Sequence, residues 1–337
     1  MSITGVIKKI IKKGVEVFYP HFFFIHAFRK ETKYFLYRMK NYNASMNTNK
    51  DIQKMQYTLL RENHVIEKGM SMRNPRKGFG QQKVLALIDR LDLYFIQYGN
   101  KGFLDYPLST IKTYIHYTKD INRIDIPEIE SKFKQLCDKV GNCNLSIRSG
   151  IKELNKSDIY QKINIDFECF VKARHSIRYF SSEHPDTNLI NKALDIAQYT
   201  PSACNRQGWK NYVFTGSKIV DLIKWQGGAN GFEEDIPLAI LVTANLKAFL
   251  YYEPYQAYVD GGMYAMSLLY SLHAMGLGTI PLSTGFGSDK LKRFHRQFNI
   301  PESEVPIVII GVGCLLDKFK VAISTRKNHL ETTHYIY

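Results

Sequence analysis

The chain has 337 residues, more than one typical domain needs, and its 45% hydrophobic content is enough to bury a large core. Five cysteines, Cys137, Cys143, Cys169, Cys204 and Cys314, form no C-x-x-C pair and no Cys/His metal spacing. That argues against a disulfide scaffold or a metal module and for reduced thiols in a cytoplasmic compartment. The net charge of +15 raises anionic partners as a class, from phosphorylated cofactors to membrane surfaces and polyanions.

Residues 1 to 50 hold ten Lys and Arg against two Glu, so they carry more than half of that charge. The basic run Ile7 to Lys13 is followed by Val15, Val17, Phe18, Tyr19, Phe22, Phe23, Phe24 and Phe28. Glu16, Pro20, His21 and His26 interrupt the apolar pattern and no small-residue cleavage site follows, so the segment is no signal peptide. It is too short and polar to span a bilayer. A basic, aromatic amphipathic helix fits either packing on the protein's own body or peripheral membrane contact through residues 1 to 30.

A polar stretch from 43 to 50 reads as a linker, and Asp51 as the N-cap of a helix carrying Met55, Leu59, Leu60, Val65 and Ile66. On that helix His64 and Glu67 are three residues apart and share a face, as a proton-relay pair or as a solvated pair would. Met72 to Gly80 is basic and punctuated by glycine, the composition of a loop over an anionic ligand. Helical patterns recur at Lys83 to Tyr98, Tyr106 to Tyr117 and Ile129 to Val140. No strand alternation precedes residue 205. The first 160 residues therefore read as a mostly helical, basic extension, bounded in the polar region from Gly141 to Lys162.

The densest chemistry lies between 174 and 209. Arg174-His175-Ser176-Ile177-Arg178-Tyr179-Phe180 sets two guanidiniums and a hydroxyl on alternate residues, which an extended segment aims to one side. Such a set suits a phosphate or polyol. An amphipathic helix with Leu189, Ile190, Ala193, Leu194, Ile196 and Ala197 follows. Then Thr200-Pro201-Ser202-Ala203-Cys204-Asn205-Arg206-Gln207-Gly208-Trp209 offers Ser202, Asn205 and Gln207, uncharged groups able to read a heteroaromatic edge. An anion site and an amide-edge site, one helix apart, make a cradle for a flavin mononucleotide.

Beyond it, helix and strand alternate. Strands are expected at Tyr212 to Thr215, Leu238 to Ala244, Thr279 to Leu282 and Val305 to Leu316, with continuous apolar runs marking central strands. Helices are expected at Phe167 to Val171, Lys218 to Trp225, Tyr258 to Met275 and Asp289 to Phe298. Asp260-Gly261-Gly262 would head the third of these as a capping group, and Gly276 and Gly278 would stop it.

The R-x-S-x-R-x-F segment, the P-S-x-x-N-x-Q-x-W segment and Gly276-Leu277-Gly278-Thr279 together resemble the nitroreductase family of FMN-dependent oxidoreductases, over roughly residues 160 to 337. The resemblance implies an α+β fold, a mixed central sheet flanked by helices, here preceded by the mostly helical region. It divides the chain into an extension, 1–160, and an FMN-binding domain, 161–337. It implies that Arg174, His175 and Ser176 hold the phosphate and ribityl chain, and that Arg178 stabilises the anionic reduced ring. Pro201, Ser202, Asn205 and Gln207 would come from the other protomer of a homodimer with FMN at the interface. Arg326 and Lys327 would complete the phosphate site. At the turn Pro281 to Gly287 the family often carries an acidic residue beside glycine. Here Leu282-Ser283-Thr284-Gly285 stands instead, leaving the Ser283 and Thr284 hydroxyls or backbone amides to serve. Gln207-Gly208-Trp209 replaces the usual Q-P-W and frees a backbone N–H.

The implied reaction is ping-pong hydride transfer from NAD(P)H through FMN to a small-molecule acceptor, a nitroaromatic, quinone, enone or biosynthetic intermediate. No metal and no nucleic acid enter this reading. Two others stay open: a flavin-dependent dehydrogenase, oxidase or dehalogenase on the same fold, and a membrane- or polyanion-binding protein with a vestigial flavin site.

Overall fold

The computed structural model describes residues 20–45, 48–71, 76–100, 102–121, 124–141, 145, 149–151, 166–229, 232–319 and 328–337. The expectations for Ile7 to Phe18, Arg73, the 141–162 boundary, Arg326 and Lys327 fall wholly or mainly outside them.

The regular elements described in the extension are all helical, chiefly α1 (Pro20–Tyr42), α2 (Ile52–Met70), α3 (Gln81–Tyr98), α4 (Asp105–His116) and α5 (Pro127–Val140). Asp51 caps α2 as expected, accepting from the N–H groups of Gln53 and Lys54. Apolar residues at helical spacing, among them Leu59, Ile66, Leu87, Leu91, Leu108 and Ile111, close a core of their own.

After α6 (Phe167–Ala173) and α7 (Thr187–Ala197), the chain builds a sheet: β1 (Trp209–Phe214), α8 (Ser217–Gln226), β2 (Leu238–Asn245), α9 (Gln256–Ala274), β3 (Leu277–Ser283), α10 (Ser288–Phe298) and β4 (Glu304–Cys314). The strand order is β1-β2-β4-β3 and every neighbouring pair is antiparallel. An isolated parallel bridge, Ser176 to Thr279, lays the 174–178 segment outside β3; the four-stranded sheet is itself antiparallel, so the expected mixed pairing is confined to that bridge. Side chains along β2 alternate between two cores. Ala239 and Leu241 face Leu222, Ile223 and Phe294, whereas Ile240 and Val242 face Tyr264, Leu268 and Leu272. Burial on both faces explains its unbroken apolar run.

Two expected boundaries move for physical reasons. The long helix begins at Gln256, so Asp260 lies inside it, fully buried, and turns outward from its own helix end. Gly278 does not stop α9; it sits in β3, directly paired with Gly313 of β4. Phe180 fills the space both glycines leave, and an added Cβ would lie 2.6 Å from the ring at Gly313 and 3.2 Å at Gly278. The aromatic end of the R-x-S-x-R-x-F segment is thus clamped over a bare patch of sheet. Gly313→Ala is expected to destabilise by about 1–3 kcal/mol through overpacking, read as a lower denaturant midpoint at unchanged slope.

Helix α1 packs on the body. Arg38, buried, donates to the Glu302 carbonyl at 2.8 and 3.0 Å and to the Glu304 carbonyl at 2.6 Å. Glu31 accepts from the Ser288 N–H at 2.8 and 3.0 Å, capping α10 from outside its own sequence. Near this seam burial, then the Glu302 carboxylate, pushes Tyr42 up to about 12, and burial, then Glu304, does the same to Tyr57. Because these folded-state values lie above the ordinary 10.0, the phenols' contribution is intact below pH 10 and is lost as pH rises through 12. Phenolate absorbance and circular dichroism should therefore change together in that window, and Tyr57→Phe should move the alkaline midpoint upward.

Candidate functional site

The 174–178 segment is extended and alternates as its sequence demands: Ile177 is buried in the sheet core, while Arg174 and Ser176 are half-buried and Arg178 is exposed on the other side. The bridge to Thr279 and an Ile177 N–H to Thr279 carbonyl bond of 2.9 Å fix its register on β3. Arg174 Nη1 is buried and has no hydrogen-bond partner. A buried guanidinium nitrogen left unpaired costs free energy, so its surroundings suit an incoming anion. His175 is exposed, and with Arg174 it faces His273. Burial, chiefly, together with the neighbouring Arg174 and His175, holds His273 below its usual range, opposed by the Phe170 carbonyl 3.2 Å away.

Pro201 to Gln207 is a strained loop. Cys204, Asn205 and Gln207 have φ of 52°, 52° and 49°, in the left-handed region that non-glycine residues rarely adopt. Three anchors hold it. Arg206, only 1% exposed, makes a bidentate pair with Glu253 at 2.7 and 2.8 Å, and donates to the carbonyls of Ala203 and Ala248, each at 2.8 Å. Asp260, expected as a helix cap, instead accepts from the Ala203 N–H at 3.1 Å, its other oxygen held by Gln256 at 2.7 Å. The Gly208 carbonyl takes the Asn245 N–H at 2.7 Å, and a Cβ at Gly208 would lie 2.9 Å from that of Ala248. Within the loop the Ser202 hydroxyl accepts from the Gln207 N–H at 3.0 Å, and Gln207 Nε2 donates to Asn205 Oδ1 at 3.2 Å. Arg206 is the segment's sole cation, a signal for a buried anchor that the reading of its uncharged neighbours passes over.

Ser283, the last residue of β3, and Gly285 just beyond it are exposed, and a Cβ at Gly285 would meet nothing within 4 Å. The Ser283 carbonyl accepts from Gln226 Nε2 at 3.0 Å. The Thr284 hydroxyl donates to the carbonyls of Pro306 and Ile307, each at 2.9 Å, so its proton is committed to pinning the turn on β4.

His64 and Glu67 do share a face, with Nδ1 and Oε2 3.7 Å apart. Glu67 is engaged more closely elsewhere: both its oxygens lie 2.9 Å from the Tyr106 hydroxyl, and one takes the Gly150 N–H at 3.1 Å. Helix α2 meanwhile packs on the Ala203–Asn205 turn. Tyr106 is a site neighbour the sequence reading did not find.

One chain does not assemble the expected cradle. The 174–178 segment flanks β3, whereas the 201–208 loop leads into β1 at the opposite sheet edge. Four strand spacings of about 4.8 Å put roughly 19 Å between them. They also sit at opposite ends of the strands, since Thr279 is level with Val312 and Trp209 with Ala244 and Val305. The helix joining them in sequence, α7, spans the sheet rather than bringing them together.

The nitroreductase family model matches residues 171–226 and 218–314. A putative NADH dehydrogenase/NAD(P)H nitroreductase of Methanothermobacter thermautotrophicus is 27% identical over 143 residues, covering 42% of this chain and 74% of the relative. A protein of the same description from Archaeoglobus fulgidus is 28% identical over 152 residues, covering 43% and 84%. Among solved structures, a putative nitroreductase in complex with FMN from Desulfovibrio desulfuricans is 18% identical and covers 52% of this chain and 98% of its own, with a TM-score of 0.45. Residues 171–314 of the chain thus match the nitroreductase family model, and these relatives that align with the chain are described as nitroreductases. Among the described residues, no helix is long and apolar enough to cross a membrane, and no group of three or more His, Cys, Asp or Glu could hold a metal ion.

Proposed function

We propose that the chain is an FMN-dependent oxidoreductase that takes hydride from NADH or NADPH and passes it to a small organic acceptor, a nitroaromatic, quinone, enone or biosynthetic intermediate. Its unit is a cytoplasmic homodimer with 1–160 as an extension and 161–337 as the flavin-binding domain. The observation carrying this reading is the buried, unpartnered Arg174 Nη1 beside Ser176 on the outer side of β3. Arg174, His175 and Ser176 fit a phosphate and polyol, Arg178 a ring that gains negative charge, and Ser202, Asn205 and Gln207 its polar edge. Arg326 and Lys327 are proposed to close the phosphate end. When bound, FMN supplies the ring that accepts and returns the hydride. The chain's residues bind and orient it, and the exposed Ser283, Gly285 and adjoining backbone amides leave an open, unhindered approach.

The dimer is supported by geometry. Separated by a sheet's width in one chain, the two clusters meet only if a second copy supplies one of them. Helix α9 offers a face for that copy: Tyr255, Tyr258, Val259, Met263 and Met266 recur at helical spacing and are 37–68% exposed.

The test is an absorbance spectrum of the purified protein before and after anaerobic NADH or NADPH. Visible flavin bands that bleach with nucleotide are expected. Bound flavin that neither nucleotide bleaches would replace this reading with a dehydrogenase or oxidase, and a protein that takes up no flavin when supplied would remove it.

A further inference from the structure

The extension meets the strained loop through α2, which packs on the Ala203–Asn205 turn, and through Tyr106 of α4. Tyr106 of α4 lies between Glu67 of α2 and the loop, its hydroxyl donating to the Glu67 carboxylate at 2.9 Å. Beside that hydroxyl are the side-chain amides of Asn205 and Asn63. Asn63 is fully buried, and neither atom of its amide has a hydrogen-bond partner. Burial, first, and the adjacent carboxylate hold Tyr106 well above the usual phenol range, so it stays protonated.

The direction of bonding follows from that proton. A phenol has one O–H and lone pairs. With the O–H committed to Glu67, only lone pairs remain for Asn205, so the Asn205 amide must turn its NH2 toward Tyr106. Its Oδ1 then faces away, where it accepts from Gln207 Nε2 at 3.2 Å. With the Asn205 amide so turned, every donor in the series would point toward Glu67, and the exposed end of the series would be the Gln207 side-chain carbonyl. Such a chain fixes amide orientations that solvent would otherwise leave free. It also bears on strain. Left-handed residues persist only where their surroundings over-determine them. Arg206 and Asp260 hold the loop from the sheet side; α2 and α4 are what hold it from the other.

We propose that Tyr106, fixed by Glu67, is a positioning residue for the flavin loop, orienting the amide of Asn205 and through it that of Gln207. The extension would thereby set the polar edge of the site, in addition to covering it. This rests on the flavin reading above.

Two measurements on the full chain test it. The first needs no flavin: the side-chain NH2 resonances of Asn205, assigned through Asn205→Asp, are followed in wild type, Tyr106→Phe and Glu67→Gln. Slow exchange in wild type and a shift in both variants are expected, at unchanged melting temperature; resonances unmoved in both overturn the proposal. The second is titration with FMN. Tyr106→Phe should bind about tenfold more weakly with a displaced visible band. Glu67→Gln should match it, and the double variant should add little further because the residues act in series. Affinity and spectrum unchanged in both variants would overturn it. If wild type binds no FMN, the flavin reading fails and the resonances still decide whether Tyr106 positions Asn205.

Discussion

Replacing Arg206 by methionine is expected to cost about 3–5 kcal/mol of folding stability, because it strands a charge rather than removing a pair. The guanidinium is 1% exposed and answers Glu253 with both nitrogens and Ala203 and Ala248 through their carbonyls. Against the upward push of burial, Arg206 keeps the Glu253 carboxyl below its usual range. That stabilisation is present above the ordinary carboxyl value of 4.5 and is lost as pH falls below it. The variant should therefore lose most at neutral pH and approach wild type in acid. Equilibrium denaturation at pH 7 and pH 4 reads both limbs, and equal losses at the two values would show that packing on Phe249, 5.0 Å beneath the guanidinium, carries the effect instead.

Arg174→Ala should behave in the opposite way. It removes a group whose Nη1 is buried without a partner, so the apoprotein should be as stable as wild type or slightly more so. FMN affinity, in contrast, should fall by about 100-fold, since a guanidinium on a phosphate forms charge-assisted bonds worth roughly 1.5–3 kcal/mol. Thermal denaturation of the apoprotein and flavin titration separate the two. A drop in apoprotein stability together with unchanged flavin binding would move Arg174 from the site to the scaffold.

Much of this was legible in the sequence because local physics decides it. Asp51 caps its helix through its own side chain, and the apolar run of Leu238 to Ala244 lies in a central strand buried on both faces. The 174–178 alternation survives intact because Ile177 has a core to enter. What stayed hidden depends on partners distant in sequence. Asp260 beside two glycines looks like a cap until Ala203 is placed above it. Glu67 looks like a partner for His64, three residues away, until α4 delivers Tyr106. Gly278 looks like a helix stop until Phe180 is seated on it. The distance between the two motif clusters was least accessible of all, since the 22 residues from 179 to 200 say nothing about which sheet edge each end reaches.

If the proposed dimer holds, the placement of those clusters at opposite sheet edges makes cofactor capacity a property of concentration. In the proposed assembly each chain carries two half-sites and no whole one, so holoprotein would form with second-order dependence on protein. Bound flavin in turn acts as a tether between copies. Dilution alone should release both cofactors of a pair together, and excess FMN should shift the monomer–dimer balance before it saturates any site.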